Sequence, residues 1–269
     1  MKKLGFLGAG NMARALVKGL LETKRYRAAD LWASDPERAA LRELRRAYHV
    51  DGAPDNPTIV AGSEVVVLAV KPQIVDAVLR EVRSVISRRQ LFISIAAGIA
   101  TARLEAGLGP AARVIRVMPN TPALVGRGMS VLVRGRRASA ADERCAATIF
   151  GGVGDVEHVR DEALMDVVTG LSGSGPAYVY RFAEALIAGA VVEGLSEALA
   201  RHLTFQTLCG AAAMLRETGC SPEELRAMVS SPGGTTVAGL RALDDREFVS
   251  IVAGAVAAAT RRSRELGQG

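Results

Sequence analysis

The chemistry of this chain must rest on glycine turns and hydroxyls, because the usual catalytic side chains are sparse. Three histidines (His49, His158, His202) are scattered, and three cysteines (Cys145, Cys209, Cys220) include no C-x-x-C spacing. Neither a metal site nor a disulfide framework is expected. One turn reads Gly8-x-Gly10-x-x-Ala13, between an apolar strand pattern and an amphipathic helix pattern. Gly8 permits the tight turn, Gly10 lets the backbone approach a pyrophosphate, and Ala13 lets helix and strand pack closely. Asn11 and Met12 open that helix, whose free amides and positive end suit a phosphate. Ser34 and Asp35 close a second strand, with Arg38 one turn on. An acid there holds the adenosine ribose hydroxyls, whereas Arg38 or Ser34 would receive a 2'-phosphate, and Asp35 also suits a helix cap. The spacing points to a nicotinamide dinucleotide and leaves NADP and NAD both open.

Later strands end in further candidates. Lys71-Pro72 follows the third strand at the edge where a ligand sits in such folds, with Lys71 either lining the cofactor or solvated. Ala96-Ala97-Gly98 follows the fourth, where small residues let a cofactor lie close. Pro119-Asn120-Thr121-Pro122 makes a rigid loop after the fifth, with Asn120 or Thr121 alternatively capping a helix. Two glycine-proline segments stand in the second half, Gly170-Leu171-Ser172-Gly173-Ser174-Gly175-Pro176 and Ser230-Ser231-Pro232-Gly233-Gly234-Thr235-Thr236. Each places hydroxyls and bare amides at the start of a helix, a nest suited to a carboxylate or to a helix cap.

The elements that position these residues divide the chain in two. Strands are expected at residues 3–7, 31–34, 64–70, 91–96, 113–117, 129–133 and 155–159. Helices are expected at 11–22 and 73–82, with another whose first turn holds Pro36 and Glu37. This alternation implies an α/β fold, a mostly parallel, Rossmann-like sheet covered by helices. The 64–70 run lacks polar alternation and should be buried on both faces. From Glu162 onward only helical patterns follow, at 176–195, 199–218, 222–228, 234–243 and 246–265. The expected division is a dinucleotide-binding domain over 1–160 and an all-helical dimerisation and substrate domain over 161–269.

Composition narrows the class. The 269 residues are 49% hydrophobic and 23% charged, which excludes a disordered chain. The net charge is +6, and only five of the 34 cations are lysines. Basic runs at 134–137 and 261–264 lack interleaved aromatics, since aromatic residues make up 4%. They suit small anions rather than nucleic acid. The longest weakly polar stretch, 248–260, is too short for a membrane span. The apolar run after Met1-Lys2-Lys3 is too short for a secretory leader, so a cytoplasmic protein is expected.

Six stretches carry a resemblance to a known family: GFLGAGNMA, LAVKP, SIAAG, RVMPNTPALV, GLSGSGPAYVY and VSSPGGTTVAGLRALD. They run in order from Gly5 to Asp244, and the chain resembles the pyrroline-5-carboxylate reductases. The resemblance implies reduction of 1-pyrroline-5-carboxylate to L-proline with NADPH or NADH, and a homodimer built by the helical half and often assembled into a decamer. It implies a carboxylate cradle of Ser231, Gly234 and Thr235, with the Thr236 hydroxyl beside the ring nitrogen as the catalytic group. Glu162 and Thr169 match positions lining the substrate region, and Asn56 with Ala69, Val70, Lys71 and Pro72 match cofactor contacts. Asp35 stands where relatives often carry Ser, which predicts appreciable use of NADH, and Met228 stands where some relatives are polar. Fold alone also admits a reductase of another small acid, or a non-catalytic dinucleotide sensor.

Overall fold

A computed structural model describes residues 4–268. Lys3 and the leader-like start lie outside the described residues. Two compact units make up the chain, one from the residues up to Ser174 together with those from Ala257 onward, the other from Gly175–Val256.

The first unit alternates strand and helix: β1 (Leu4–Leu7), α1 (Asn11–Glu22), β2 (Leu31–Ser34), α2 (Arg38–Tyr48), β3 (Asp51–Gly52), α3 (Asn56–Gly62), β4 (Val65–Leu68), α4 (Val75–Val82), β5 (Leu91–Ser94) and α5 (Thr101–Leu108). There follow β6 (Arg113–Pro119), β7 (Gly128–Arg134), α6 (Ala140–Phe150), β8 (Gly154–His158) and α7 (Leu164–Val168). The strands form one sheet in the order β3-β2-β1-β4-β5-β6-β7-β8. Every pairing is parallel except β6 with β7. The side chains of β4 explain why. Val65 and Val67 join one core with Leu16, Leu20 and Phe150, while Val66 and Leu68 join another with Val75, Leu79 and Leu104. Helices cover both faces, so a strand between them has no solvent side to make polar. The sheet is the mostly parallel, Rossmann-like one that the strand pattern implies.

Three local expectations change. Pro36 and Glu37 precede α2 instead of forming its first turn, because the Asp35 carboxylate takes the Glu37 N–H at 2.7 Å. The 64–70 strand is shorter, and Ala69 and Val70 leave it to reach the sheet edge. Residues Thr169–Gly173 form a π-helical turn continuous with α7, not an open glycine loop. There the Ser174 N–H donates to Thr169 O at 2.9 Å, so this segment is no anion nest.

The second unit holds α8 (Gly175–Val192), α9 (Glu197–Glu217), α10 (Pro222–Met228), α11 (Thr235–Asp244) and the beginning of α12 (Phe248–Gln268). Within it the Tyr178 hydroxyl donates to Ala255 O at 3.4 Å, and the Phe182 and Phe248 rings stand 6.1 Å apart. Only Ala183, Ala200 and Thr204 of this unit are buried, while Tyr180, Leu186, Leu203, Phe205 and Ile251 are exposed. The contacts divide the chain after Ser174 and return the end of α12 to the first unit, so they draw the line later than the expected 160/161 division. No helix among the described residues is long and apolar enough to cross a membrane.

Candidate functional site

The strand order reverses at β1, which pairs with β2 on one side and β4 on the other. Ligands of such sheets sit at this reversal, outside the carboxyl ends of the strands. Gly8 leaves β1 there with φ +101°, and its N–H donates to Ser34 O at 2.8 Å. A Cβ on Gly8 would stand 2.6 Å from Ala69 O, so the turn exists only with glycine. Around Gly10 a Cβ would meet nothing within 4 Å, and no side chain caps the helix that begins at Asn11. That open space in front of unpaired helix amides fits a pyrophosphate, and Ala13 is buried beneath it. Asn11 is exposed and accepts from Arg14 at 2.5 Å, and Met12 is half-buried against the core. Lys71 is exposed, and Pro72 begins a short 3-10 turn beside it.

Asp35 braces this edge. One carboxylate oxygen accepts from the Ala9 N–H at 2.8 Å and the other from the Glu37 N–H. The capping role and the ribose role are therefore compatible, since each oxygen keeps a lone pair. Ser34 is not free to take a phosphate. It is buried, and its hydroxyl donates to Asn56 Oδ1 at 2.6 Å, while Asn56 Nδ2 donates to Glu81 at 2.7 Å. Of the two phosphate receivers considered, only the exposed Arg38 is left. Asp55 caps α3 by accepting from the Thr58 N–H at 2.8 Å, which holds its carboxyl below the ordinary value and fixes Asn56 behind it.

Two of the small-residue loops have another reason for their composition. Gly98 has φ +76°, and its Cβ would meet Leu266 Cβ at 3.1 Å and Ser263 O at 3.2 Å, so α12 packs against the Cβ side of Gly98. Ala97 beside it is half-buried. The Asn120 side chain caps no helix: Oδ1 accepts from the Met129 N–H at 2.8 Å, and Nδ2 donates to Ser172 O at 3.2 Å.

Glu162 and Thr169 are both engaged within the first unit. Glu162 accepts from the Thr101 N–H at 2.8 Å, the Thr101 hydroxyl at 2.5 Å and Arg116 Nη1 at 3.0 Å. Because Ala100 at the start of α5 has no capping side chain, Glu162 caps that helix from 61 residues away. Arg116 is 4% exposed and its other amine lies 3.8 Å from Asp166, which accepts from the buried Ser263 hydroxyl at 2.6 Å. The Thr169 hydroxyl donates back to Met165 O at 2.8 Å. The sequence reading missed Thr101, Arg116, Asp166 and Ser263. The one available signal was an arginine inside the otherwise apolar run of β6.

In the second unit, the Gly234 N–H closes a turn onto Ser231 O at 2.9 Å, with Pro232 and Gly233 between them. Gly233 has φ +71°, the conformation that a type II turn requires after proline. The turn ends at α11, whose first residues are Thr235 and Thr236 and which no side chain caps. A Cβ on Gly234 would stand 2.7 Å from Ser231 Oγ. Ser231 and Thr235 are exposed and Thr236 is half-buried. This end offers unpaired amides and hydroxyls of the kind that bind a carboxylate. Among the described residues no cluster of His, Cys, Asp and Glu could hold a metal.

Residues 162–266 match the family described as pyrroline-5-carboxylate reductase dimerisation, and residues 3–98 match NADP oxidoreductase, coenzyme F420-dependent. The chain is similar to a Coxiella burnetii pyrroline-5-carboxylate reductase structure, with TM-score 0.91, 35% identity and 98% of each chain covered. A Plasmodium falciparum pyrroline carboxylate reductase with NADP bound is similar at TM-score 0.89 and 33% identity, again over 98% of each chain. The pyrroline-5-carboxylate reductase of Methanosarcina acetivorans is 41% identical over 99% of this chain and 98% of its own. With that identity along nearly the whole of both chains, this protein belongs to the pyrroline-5-carboxylate reductase family.

Proposed function

We propose that this protein reduces the C=N bond of 1-pyrroline-5-carboxylate to L-proline at the expense of NADPH or NADH. The observation that carries the reading is the uncapped start of α11 behind the Pro232-Gly233 turn, where donors for a small carboxylate stand without a strong acid, base or nucleophile in the turn. The names of the relatives supply the rest of the substrate. A reduced nicotinamide supplies the hydride. The remaining tasks belong to the chain, and they are mostly orientation. The reacting carbons must be held about 3–3.5 Å apart. The Gly8–Gly10 turn and the start of α1 hold the pyrophosphate, Asp35 the ribose, and Lys71 with its neighbours lines the same sheet edge. The amides of Thr235 and Thr236 and the Ser231 hydroxyl grip the carboxylate. The Gly234 amide is taken by Ser231 O, so Gly234 contributes through its missing Cβ, which leaves Ser231 Oγ in place. The Thr236 hydroxyl bonds the ring nitrogen. It is a poor acid, so the proton arrives with the iminium or from water passed along that hydroxyl. Glu162 and Thr169 act by bracing the substrate region.

A homodimer through residues 175–256, its further assembly to a decamer and a cytoplasmic location complete the proposal. The dimer is supported by a unit whose own core amounts to three buried residues, since exposed apolar helices of that kind need a partner surface. The test is a steady-state assay with each cofactor on the wild type, Thr236→Ala and Thr236→Ser. Removing the hydroxyl should lower turnover by roughly 10–100-fold, with serine restoring most of it and dinucleotide affinity unchanged. Equal turnover in all three removes Thr236 from the reaction. A wild type that oxidises neither cofactor with pyrroline-5-carboxylate ends the reading.

A further inference from the structure

The basic turn at residues 134–137 has no part in this reduction. It lies at the amino-terminal end of β6, the sheet edge opposite Gly8 and Gly10: Arg134 pairs in register with Ile115, and the Gly135 N–H donates to Val114 O at 2.8 Å. Two adjoining hollows of about 530 and 480 Å³ open there and share Pro110, Arg136 and Arg137. Arg83 and Glu105 line the first, and Arg88 and Arg113 the second.

The charges of this trough do not balance. Glu105 is buried and is already satisfied by the Arg136 N–H at 2.7 Å and Arg136 Nε at 2.9 Å. Arg113 is held by Asp142 at 2.5 Å. Arg83, Arg88 and Arg137 are exposed and make no ion pair among the described residues. The ends of α4, at Arg83, and of α5, at Gly109, each contribute about half a negative charge, which leaves roughly two positive charges uncompensated. Basic residues are ordinary at a helix end, but the two helix ends here answer only about a third of the charge of the three exposed arginines. A concave rim of one sign concentrates counter-ions, and guanidinium forks match phosphate oxygens in pairs. Neither hollow is lined by an aromatic ring, which removes the stacking platform that single-stranded nucleic acid uses.

We propose that this arginine trough binds a compact polyvalent oxyanion, a chain of linked phosphates, at a site separate from the dinucleotide edge. The inference does not depend on the reductase reading. Its test is calorimetric titration of the full chain with sodium tripolyphosphate, with NADP+ present to fill the other phosphate site. Tripolyphosphate should bind at least tenfold more tightly than orthophosphate, and Arg83→Gln/Arg137→Gln should lose at least tenfold of that affinity with its melting temperature unchanged. Affinity should also fall steeply as salt rises from about 50 to 200 mM. A nucleoside triphosphate binding more tightly than tripolyphosphate assigns the site to a nucleotide tail, and equal binding assigns it to phosphates alone. Tripolyphosphate that is displaced by NADP+, or that binds the double variant as well as the wild type, overturns the proposal.

Discussion

Removing the Glu162 carboxylate tests whether that residue braces the fold or meets the substrate. In Glu162→Ala three hydrogen bonds disappear together, from the Thr101 N–H, the Thr101 hydroxyl and Arg116. Two of these costs are separable. The start of α5 loses its cap, which is worth about 1 kcal/mol. Arg116, 5% exposed at its side chain, loses its nearer carboxylate and keeps only Asp166 at 3.8 Å. Stripping one partner from a buried pair costs about 3–5 kcal/mol. Two circumstances reduce that figure here, since Glu162 is 28% exposed at its side chain and Asp166 stays in place to share the charge. A net loss of about 3 kcal/mol follows. At roughly 2–4 °C per kcal/mol for a unit of this size, the melting temperature should fall by about 6–12 °C. Glu162→Gln keeps the shape and one acceptor but not the charge, and should fall about half as far. Differential scanning calorimetry on both variants, beside steady-state kinetics well below the transition, separates the roles. A brace predicts a large thermal loss with KM for pyrroline-5-carboxylate changed less than about threefold. A melting temperature within 2 °C of wild type with KM raised tenfold or more would refute the reasoning.

Three further outcomes follow from single residues. Gly8→Ala puts a Cβ 2.6 Å from Ala69 O at φ +101°, so dinucleotide affinity should fall at least tenfold in a fluorescence titration, and unchanged affinity would show that the turn adapts. In the proposed site Asp35 would repel a 2'-phosphate and accept ribose hydroxyls, so wild type should use NADH appreciably and Asp35→Ser should shift kcat/KM toward NADPH; an unchanged ratio removes Asp35 from cofactor choice. Asp76 of α4 accepts from Arg103 of α5 at 3.1 and 2.6 Å, and this hydrogen bonding holds its carboxyl below the ordinary value. A lowered carboxylate pKa stabilises the fold above the unfolded value near 3.9 and ceases to do so as pH falls through the folded value. Thermal melts from pH 5 to pH 2.5 should therefore decline less steeply in Asp76→Asn, and parallel curves would contradict this.

What could be read from the sequence, and what could not, divides by the range of the interaction. β4 was legible because four consecutive apolar residues admit no solvent face. The glycine turns were legible because Gly8 and Gly233 sit where only glycine is comfortable, and their flanks name the elements they join. Two helices went unread although their signals were local: Asp55 with a proline in the first turn before α3, and the Ser139–Asp142 capping box before α6. α5 carries no such signal, since its cap comes from Glu162 across the fold. The same holds for Gly98, whose smallness answers to Leu266 and Ser263 on the last helix, and for Ser34, whose hydroxyl is turned inward by Asn56. The antiparallel direction of β7 was hidden for the same reason, since a strand's direction is set by its partner. The proposed reaction explains why the proposed site rests on signals that a sequence can carry. Hydride transfer to an iminium asks the protein for position rather than for a strong acid or base. Position is supplied here by backbone conformation at helix starts, and backbone conformation is what Gly-Pro spacing encodes. The cap of α5 is tertiary, so the turn at Pro232 could be read from the sequence while the Arg116–Glu162–Thr101 brace could not.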